Sequence, residues 1–420
     1  MESTENFVTS NLENKNFWDY INIVILVFLT LQIFTVSFSV AISSISFGIW
    51  GGLWIIQILF RKEPLTQSFV KNDVLQISFL ILGFLISDFL SRVFGVIPEG
   101  ALIGLKRFLL YLIFFGAIVK ITKKEHLYRI ILLGVIIFAG VSLYELTKYV
   151  IKFRELSRIM DIGLIRIDDL AYPLTTAEIK MLLLLLIIPL LFIPDSPIIK
   201  RTYLVILLIP IIISMFLTQS RNVIFAFIIT TLILTLLRDK KIFLITLGTL
   251  LVIFLILPYP FQHRITSSFS PSFELNKSRI TMWKVGWQMF KDHPIVGVGD
   301  NEITLVYKKY KEPEIKGEGS HLHSNYVMIL ATNGILGSIF YLSLMILLFV
   351  KFLKFYRECK LPEDRLLILG AILGFIAFHI AGLTEWEYGD WEVLTIFIFV
   401  VSIPFIIINF VRNQKAVTNE

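Results

Sequence analysis

Two histidines, His321 and His323, stand just before an apolar run of the sequence. Ser324 and Asn325, which follow them, are both favourable N-cap residues, so we predict that a helix begins there. His323 would then lie at the positive end of the helix dipole, where a neutral imidazole is favoured. A neutral imidazole can act as a general base near neutral pH, so His323 is our candidate catalytic residue.

The same histidines allow two other interpretations. They could be solvated loop residues, or they could be two ligands of a metal ion. No third ligand has a spacing that is typical of a metal site, so we expect no metal here. The free N–H groups of a helix start also attract anions. His321 and Asn325, on either side of His323, are candidate substrate-binding residues.

Arg221 lies in the stretch FLTQSRNVIF, between two apolar runs that almost no loop separates. An arginine at membrane depth costs at least about 2.5–3.5 kcal/mol, so its position needs an explanation. Its side chain could extend to the headgroup level, or it could face a polar cavity. We favour the cavity, because the planar guanidinium is suited to a bidentate grip on phosphate.

The stretch SRITMWKVGWQMFKDHP (278–294) predicts an amphipathic helix that carries a second candidate, Arg279. Ser278 is a suitable N-cap, and Pro294 ends the pattern. The large apolar residues recur at helical spacing on one face: Ile280, Trp283, Trp287 and Phe290. Such a helix suits a membrane–water interface, although it could also pack only against the other helices.

Three weaker signals remain. Glu385 lies in the acidic stretch TEWEYGDWE and could pair with Arg221 or Arg279, or orient a sugar hydroxyl. Arg166 and the two aspartates after it are best explained as a solvated loop, although this segment could also re-enter the membrane. His379 lies inside an apolar run and is interpreted as a packed, hydrogen-bonded histidine.

The composition is that of a membrane protein. The chain is 56 % hydrophobic and 17 % charged over 420 residues, whereas soluble proteins carry about a quarter charged residues. The apolar runs are continuous rather than alternating, which excludes a membrane barrel. We predict an all-α polytopic membrane protein, one integral membrane domain over 1–420. Its spans, about twelve in number, lie at 17–39, 42–60, 74–94, 107–122, 130–150, 178–194, 202–218, 221–237, 241–258, 324–353, 365–384 and 391–411.

Loop charges predict the orientation of these spans. Alternate loops are rich in lysine and arginine, whereas the last outer loop carries only acids. This asymmetry places both termini in the cytoplasm. The acid-rich residues 1–16 do not resemble the start of a signal peptide, so we expect the first run to remain as an anchor. Residues 259–323 are then the one long outer loop, between spans 9 and 10, and it contains short helices.

Several functions are excluded. The net charge of +7 is attributed to loop charges that set topology rather than to nucleic-acid binding. The sequence holds no phosphate-binding glycine loop, serine triad or CxxC motif, so no cofactor is expected. Cys359 is the only cysteine, which excludes an intrachain disulfide.

Taken together, the motifs resemble the O-antigen ligase and polymerase superfamily. The similar stretches are TQSRN (218–222), SRITMWKVGWQMFKDHPIVGVGDN (278–301) and HLHSNYVMILATNGILG (321–337), with fainter similarity in YPLTTAEI (172–179) and GLTEWEYGDWEV (382–393). The family pattern is a histidine, an asparagine, an apolar run and a Gly-x-x-Gly turn. In the family the asparagine usually follows the histidine directly, whereas Ser324 intervenes here.

The resemblance implies a glycosyltransferase that acts on the periplasmic side of the bacterial inner membrane. Its donor is a glycan on undecaprenyl pyrophosphate, and it uses neither a metal nor a nucleotide sugar. Arg221 and Arg279 match the arginines that hold the pyrophosphate, and His323 matches the base. We expect lipid A–core as the acceptor, which defines a ligase. The alternatives are a polymerase that elongates lipid-linked repeats, and a non-enzymatic transporter of lipid-linked glycan.

Overall fold

The computed structural model describes residues 17–64, 66–99, 101–160, 162–193, 198–267, 270, 273–311 and 321–418. These residues are helical and contain no strand, which confirms the predicted all-α membrane class. The N-terminal residues 1–16, expected in the cytoplasm, lie outside the described residues. So do residues 312–320 of the predicted long loop.

Fifteen helices make up the described part of the chain. They are α1 (Phe17–Thr35), α2 (Val40–Arg61), α3 (Ser68–Phe94), α4 (Ala101–Lys120), α5 (Lys124–Leu156), α6 (Pro173–Phe192), α7 (Arg201–Leu217), α8 (Arg221–Arg238), α9 (Lys240–Ile256), α10 (Tyr259–Thr266), α11 (Glu274–Asp292), α12 (Ile303–Tyr310), α13 (Asn325–Glu358), α14 (Pro362–Ala381) and α15 (Trp391–Val417). Each predicted span coincides with one of these helices. In the described residues, ten helices are long and apolar enough to cross a membrane. The other two predicted spans are α7 and α9, which have 17 residues each and are therefore about 25 Å long.

Three helices form the centre of the protein. α6, α14 and α15 are the most buried of the candidate spans, and α15 is buried along its whole apolar window. α6 carries Lys180, which forms a buried ion pair with Glu145 of α5. Ser214 of α7 donates a hydrogen bond to the same carboxylate, 2.6 Å away. A charge inside a bundle must be paired in this way, so these contacts tie α5, α6 and α7 together.

α13 is not a straight span, which differs from the prediction. Gly334 has a φ of 60° and breaks the helix into residues 325–333 and 335–358. The rings of Tyr326 and Tyr341 lie 6.5 Å apart, whereas a straight helix would separate their Cα atoms by about 22 Å. The first segment therefore folds back on the second, and only the second has the length of a span.

The loop 294–299 fills the break in α13. Four backbone hydrogen bonds join them: Ile335 N to Pro294 O (2.9 Å), Leu336 N to Ile295 O (3.2 Å), Val298 N to Ala331 O (3.0 Å) and Gly299 N to Thr332 O (3.0 Å). The loop thus satisfies the helix-end groups on both sides of the break. A Cβ on Gly334 would collide with the Ile295 carbonyl, and its positive φ independently favours glycine.

Candidate active site

A polar cavity of about 300 Å³ lies where several helix ends meet. Its lining comes from the start of α6, the turn between α7 and α8, α11, and the segments before α13 and after α14. The lining residues are Arg166, Tyr172, Pro173, Leu174, Gln219, Ser220, Arg221, Asn222, Ser278, Arg279, His323 and Glu385. The candidates Arg221, Arg279, His323 and Glu385 are therefore brought together.

Glu385 is the centre of the polar contacts in this cavity. Its Oε1 lies 2.6 Å from His323 Nδ1 and 3.2 Å from His321 Nε2. Its Oε2 accepts a hydrogen bond from the Arg279 guanidinium at 3.1 Å. Of the two pairings expected for this carboxylate, the structure shows the one with Arg279. His321, a candidate substrate-binding residue, contacts Glu385 and is not among the residues that line the cavity. The centres of the His321 and His323 rings lie 4.2 Å apart.

These contacts fix the ionisation of Glu385. Burial alone would raise its pKa, but hydrogen bonds from His321 and His323 and the charge of Arg279 lower the pKa below its ordinary value. The carboxylate is therefore ionised at neutral pH. An ionised carboxylate can only accept hydrogen bonds, so Glu385 favours an N–H at Nδ1 of His323. In the neutral tautomer with its proton on Nδ1, Nε2 is the ring nitrogen that can take a proton.

The start of α13 holds His323 in place. Ser324 is the N-cap, as predicted, and its hydroxyl accepts from the Val327 backbone N–H at 3.4 Å. His323 itself is in the left-handed region, with a φ of 46°. Its carbonyl accepts a hydrogen bond from the Trp283 indole of α11 at 3.3 Å. Strained backbone of this kind persists only where neighbouring contacts impose it.

Asn325 does not line the cavity. Its side chain is fully buried, and its Oδ1 accepts from the Tyr388 backbone N–H at 3.0 Å. Its own backbone N–H donates to the Gly382 carbonyl at 2.8 Å. Asn325 therefore ties the start of α13 to the segment that carries Glu385. This corrects the expectation of direct substrate contact, which was based on its neighbourhood in the sequence.

Arg221 is the first residue of α8 and lies in the cavity lining. Its guanidinium carbon is 5.1 Å from the centre of the Phe273 ring, which holds the side chain by a cation–π contact. Gln219, two residues earlier, has a φ of 55° and makes the tight turn between α7 and α8. The short turn that made Arg221 stand out in the sequence is thus what brings its side chain to the cavity.

Arg166 also lines the cavity, although the sequence favoured a solvated loop. Its neighbours Ile165 and Ile167 are buried, so the side chain between them points the other way. Ile167 N donates to the Leu217 carbonyl at 3.1 Å, and the Gln219 amide donates to the Ile165 carbonyl at 2.8 Å. The alternation Ile-Arg-Ile was the signal that could have identified Arg166. Asp168 does fit a solvated loop, because it is exposed and pairs with Lys152.

An apolar cavity of about 490 Å³ adjoins the polar one and shares Gln219 and Arg221 with it. α7, α8, α9 and α10 supply its walls. The remaining lining residues are Phe216, Leu217, Ile224, Phe225, Ile228, Leu250, Ile253, Phe254, Leu257, Phe261 and Ile265. One arginine therefore stands at the boundary between a cationic compartment and a hydrocarbon-like one.

Comparison with known proteins agrees with this geometry. Residues 204–342, about a third of the chain, match the family model described as O-antigen ligase. The predicted superfamily is confirmed. The match includes Arg221, Arg279 and His323, whereas Arg166 and Glu385 lie outside it. It supports a glycosyltransferase of the O-antigen ligase family in general terms. No curated protein matches the chain.

Within the segment that matches this family model, α11 differs from the prediction at its start. The helix begins at Glu274, and Ser278 lines the cavity instead of capping the helix. Val285, Gly286 and Met289 are buried on the side that packs against α13. Two members of the predicted apolar face stay exposed, Ile280 at 38 % and Trp287 at 53 %. An exposed apolar face of this kind is typical of a helix at a membrane interface.

The fold also supplies a third potential metal ligand, which the sequence did not reveal. The ligand atoms of His321, His323 and Glu385 lie within 4.8 Å of one another. Glu385 was predicted as a partner of an arginine or a sugar hydroxyl and not as a metal ligand, because it is 62 residues from His323 in the chain. The Arg279 guanidinium already occupies the second oxygen of Glu385, and its charge opposes a cation at the same place.

His379 is packed and hydrogen-bonded, as predicted. Its Nδ1 lies 2.9 Å from the hydroxyl of Tyr326, and its ring is 4.4 Å from that of Phe375. It does not line the polar cavity.

Proposed function

We propose that the protein is an O-antigen ligase. It moves a glycan from undecaprenyl pyrophosphate to a hydroxyl of lipid A–core, without a metal or a cofactor. The observation that carries this proposal is the junction of the arginine-lined cavity with the apolar cavity at Arg221. A substrate that fits both compartments must combine an anionic group with a long apolar tail, as a lipid pyrophosphate does.

The donor is held by charge at one end and by apolar contact at the other. Arg166, Arg221 and Arg279 surround the pyrophosphate and neutralise it as it leaves. Arg221 also stands at the start of α8, where the free N–H groups of the helix end add to the attraction for an anion. The prenyl chain lies between α8 and α9, in the apolar cavity.

His323 is the base of the transfer. Its Nε2 takes the proton of the acceptor hydroxyl while the hydroxyl oxygen forms a bond to the anomeric carbon of the donor sugar. The bond between that carbon and the pyrophosphate oxygen breaks, and undecaprenyl pyrophosphate departs with the electron pair. Glu385 keeps Nδ1 protonated and stabilises the imidazolium that forms, in the manner of the acid in a catalytic triad. Asn325 positions this pair rather than contacting the substrate.

The topology proposed with this function follows the loop charges. Both termini are cytoplasmic, the chain forms one integral domain of the inner membrane, and residues 259–323 are the long periplasmic loop. The cavity then opens to the periplasm, where lipid-linked glycan and lipid A–core are both present. Cysteine substitutions at exposed positions, such as Lys284 and Lys354, test this arrangement with a membrane-impermeant thiol reagent. Only the cysteine at 284 should be labelled from the periplasm.

The decisive experiment uses purified protein in detergent, lipid-linked donor and two separate acceptors. Lipid A–core should gain the glycan, and a second lipid-linked repeat should not lengthen. The opposite pattern would replace the ligase with a polymerase. Absence of transfer to either acceptor, together with movement of the donor across proteoliposome membranes, would replace the enzyme with a transporter.

A further inference from the structure

We propose that Asp300 is a positioning residue that keeps the side chains of His323 and Glu385 aligned with each other. This inference rests on the proposed function, because the His323–Glu385 pair is the base of that reaction. Asp300 is outside the polar cavity. One of its carboxylate oxygens accepts hydrogen bonds from two arginines, Arg92 of α3 at 3.0 Å and Arg107 of α4 at 2.8 Å.

The first arm of this arrangement leads to His323. Arg92 also donates to Asp88 at 2.7 Å, and Asp88 accepts from the Asn333 amide at 2.8 Å. Asn333 ends the first segment of α13, whose other end begins two residues after His323. The neighbouring Gly299 donates its N–H to Thr332 O, so Asp300 is fixed to the same segment through the backbone as well.

The second arm leads to Glu385. The guanidinium carbon of Arg107 lies 5.6 Å from the ring centre of Trp386 and 5.9 Å from that of Tyr388. Trp386 adjoins Glu385 in the chain, and its backbone N–H donates to the Glu385 carboxylate at 3.4 Å. Arg107 therefore packs against the segment that carries Glu385, and the position of Arg107 depends in turn on its hydrogen bond to Asp300.

The Asp300 carboxylate thus connects Arg92, which leads to the first segment of α13, with Arg107, which contacts the segment that carries Glu385. Arg92 is 3 % exposed and Asp300 is 11 % exposed, so water screens these contacts weakly. Loss of the Asp300 charge would leave the two guanidinium groups without the anion between them. The two segments would then separate, and the 2.6 Å contact between His323 and Glu385 would lose its alignment.

The test is a double-mutant cycle between Asp300→Asn and Glu385→Gln, in which transfer of donor glycan to lipid A–core is measured. Asp300→Asn alone should lower kcat by about ten-fold, since misplacing a catalytic group by about 1 Å can cost up to about 10²-fold. The KM for the lipid-linked donor should stay within about two-fold. In the Glu385→Gln background the same substitution should lower kcat by less than about two-fold, because the contact that it acts on is already lost.

Two further variants separate positioning from simple loss of stability. Arg107→Gln breaks only the arm to Glu385 and should show the same non-additivity, which keeps the test available where Asp300→Asn does not fold. Asp364→Asn removes a buried ion pair with Lys124, in contacts remote from the cavity lining. It should lower Tm but act independently of Glu385→Gln. Equal losses from Asp300→Asn in both backgrounds would overturn the inference while leaving the ligase assignment intact. A wild-type protein that modifies neither acceptor would instead overturn the proposed function.

Discussion

The two walls of the polar cavity are built in opposite ways. On the side of His323, the first segment of α13 is buried along most of its length and is tied at both ends by hydrogen bonds. On the side of the apolar cavity, α9 has no buried residue and packs mainly against α8. Proton transfer needs a fixed geometry, whereas a prenyl chain needs only an apolar surface of sufficient length. The difference fits the proposed function, in which proton transfer uses one wall and binding of the lipid chain uses the other.

The largest effect is expected from removal of the proposed base, His323. His323→Ala should lower kcat by roughly 10²–10⁴, the usual contribution of a general base, while donor affinity is retained. His321→Ala should cost much less, because Glu385 can still orient His323. Turnover with lipid-linked donor and binding of radiolabelled donor measure the two effects. An active His323→Ala beside a folded but inactive His321→Ala would move the base by two residues.

The next largest effect should come from the arginine between the two compartments. Arg221→Lys keeps the charge but loses the planar fork, so kcat should fall by roughly 10²-fold, as for the loss of one donor to a developing anion. Lys284→Arg, on the exposed side of α11, is the matched control and should leave the rate unchanged. Full activity of Arg221→Lys and Arg221→Ala would show that Arg221 only extends to the headgroups.

The sequence predicted one wall better than the other. Long apolar runs identify spans without any tertiary information, and α8 and α9 were placed to within a few residues. The N-cap at Ser324 was equally local. The bend at Gly334 depends on the loop 294–299, which lies about 35–40 residues earlier in the chain. Hydrophobic periodicity alone does not reveal such a contact.

The candidate site shows the same limit. Arg221 and His323 were identified because each is an unusual residue at a helix end, which is a local signal. The partnership of Glu385 with both histidines arises only when α14 is packed beside α13. Asn325 was assigned to the substrate because it is next to the histidine, but its side chain turns inward to Tyr388. Proximity in sequence therefore predicted the place and not the direction of a side chain.

Filling the apolar cavity with a larger side chain tests whether this cavity binds the prenyl chain of the donor. Leu250 lines it from α9, and Leu250→Trp should raise the donor KM by about ten-fold, a loss of about 1.4 kcal/mol in binding. The turnover number and Tm should change little, because no residue of α9 is buried. Leu251→Trp is the control, since Leu251 is exposed and is not in the lining. An equal rise of KM in both variants would argue against a prenyl chain in this cavity.

A smaller effect is expected in the pH dependence of stability. The folded-state pKa of Glu385 is depressed, so its contribution to stability is complete above the unfolded value of about 4.3 and is lost as the pH falls further. Between neutral pH and about pH 5 this group should therefore not change Tm. Below about pH 4, Tm of the wild type should fall more steeply than Tm of Glu385→Gln. Parallel curves for the two proteins would show that Glu385 is not held in its ionised form by the histidines and Arg279.

We expect a chelator to have no effect on the transfer activity. This experiment tests the side of the cavity that carries His321, His323 and Glu385. His321, His323 and Glu385 are close enough to bind a cation, but such an ion would compete with Arg279 for the Glu385 carboxylate. It would also occupy His323 Nδ1, the ring nitrogen that faces Glu385, in place of the proton that the proposed mechanism keeps there. Transfer to lipid A–core should therefore be unchanged in excess chelator, and elemental analysis of the purified protein should find no stoichiometric metal.

Activity that is abolished by the chelator and restored by one divalent ion would make His321 and His323 ligands. The arginines would then share the neutralisation of the pyrophosphate with a metal, and His323 could no longer be the base.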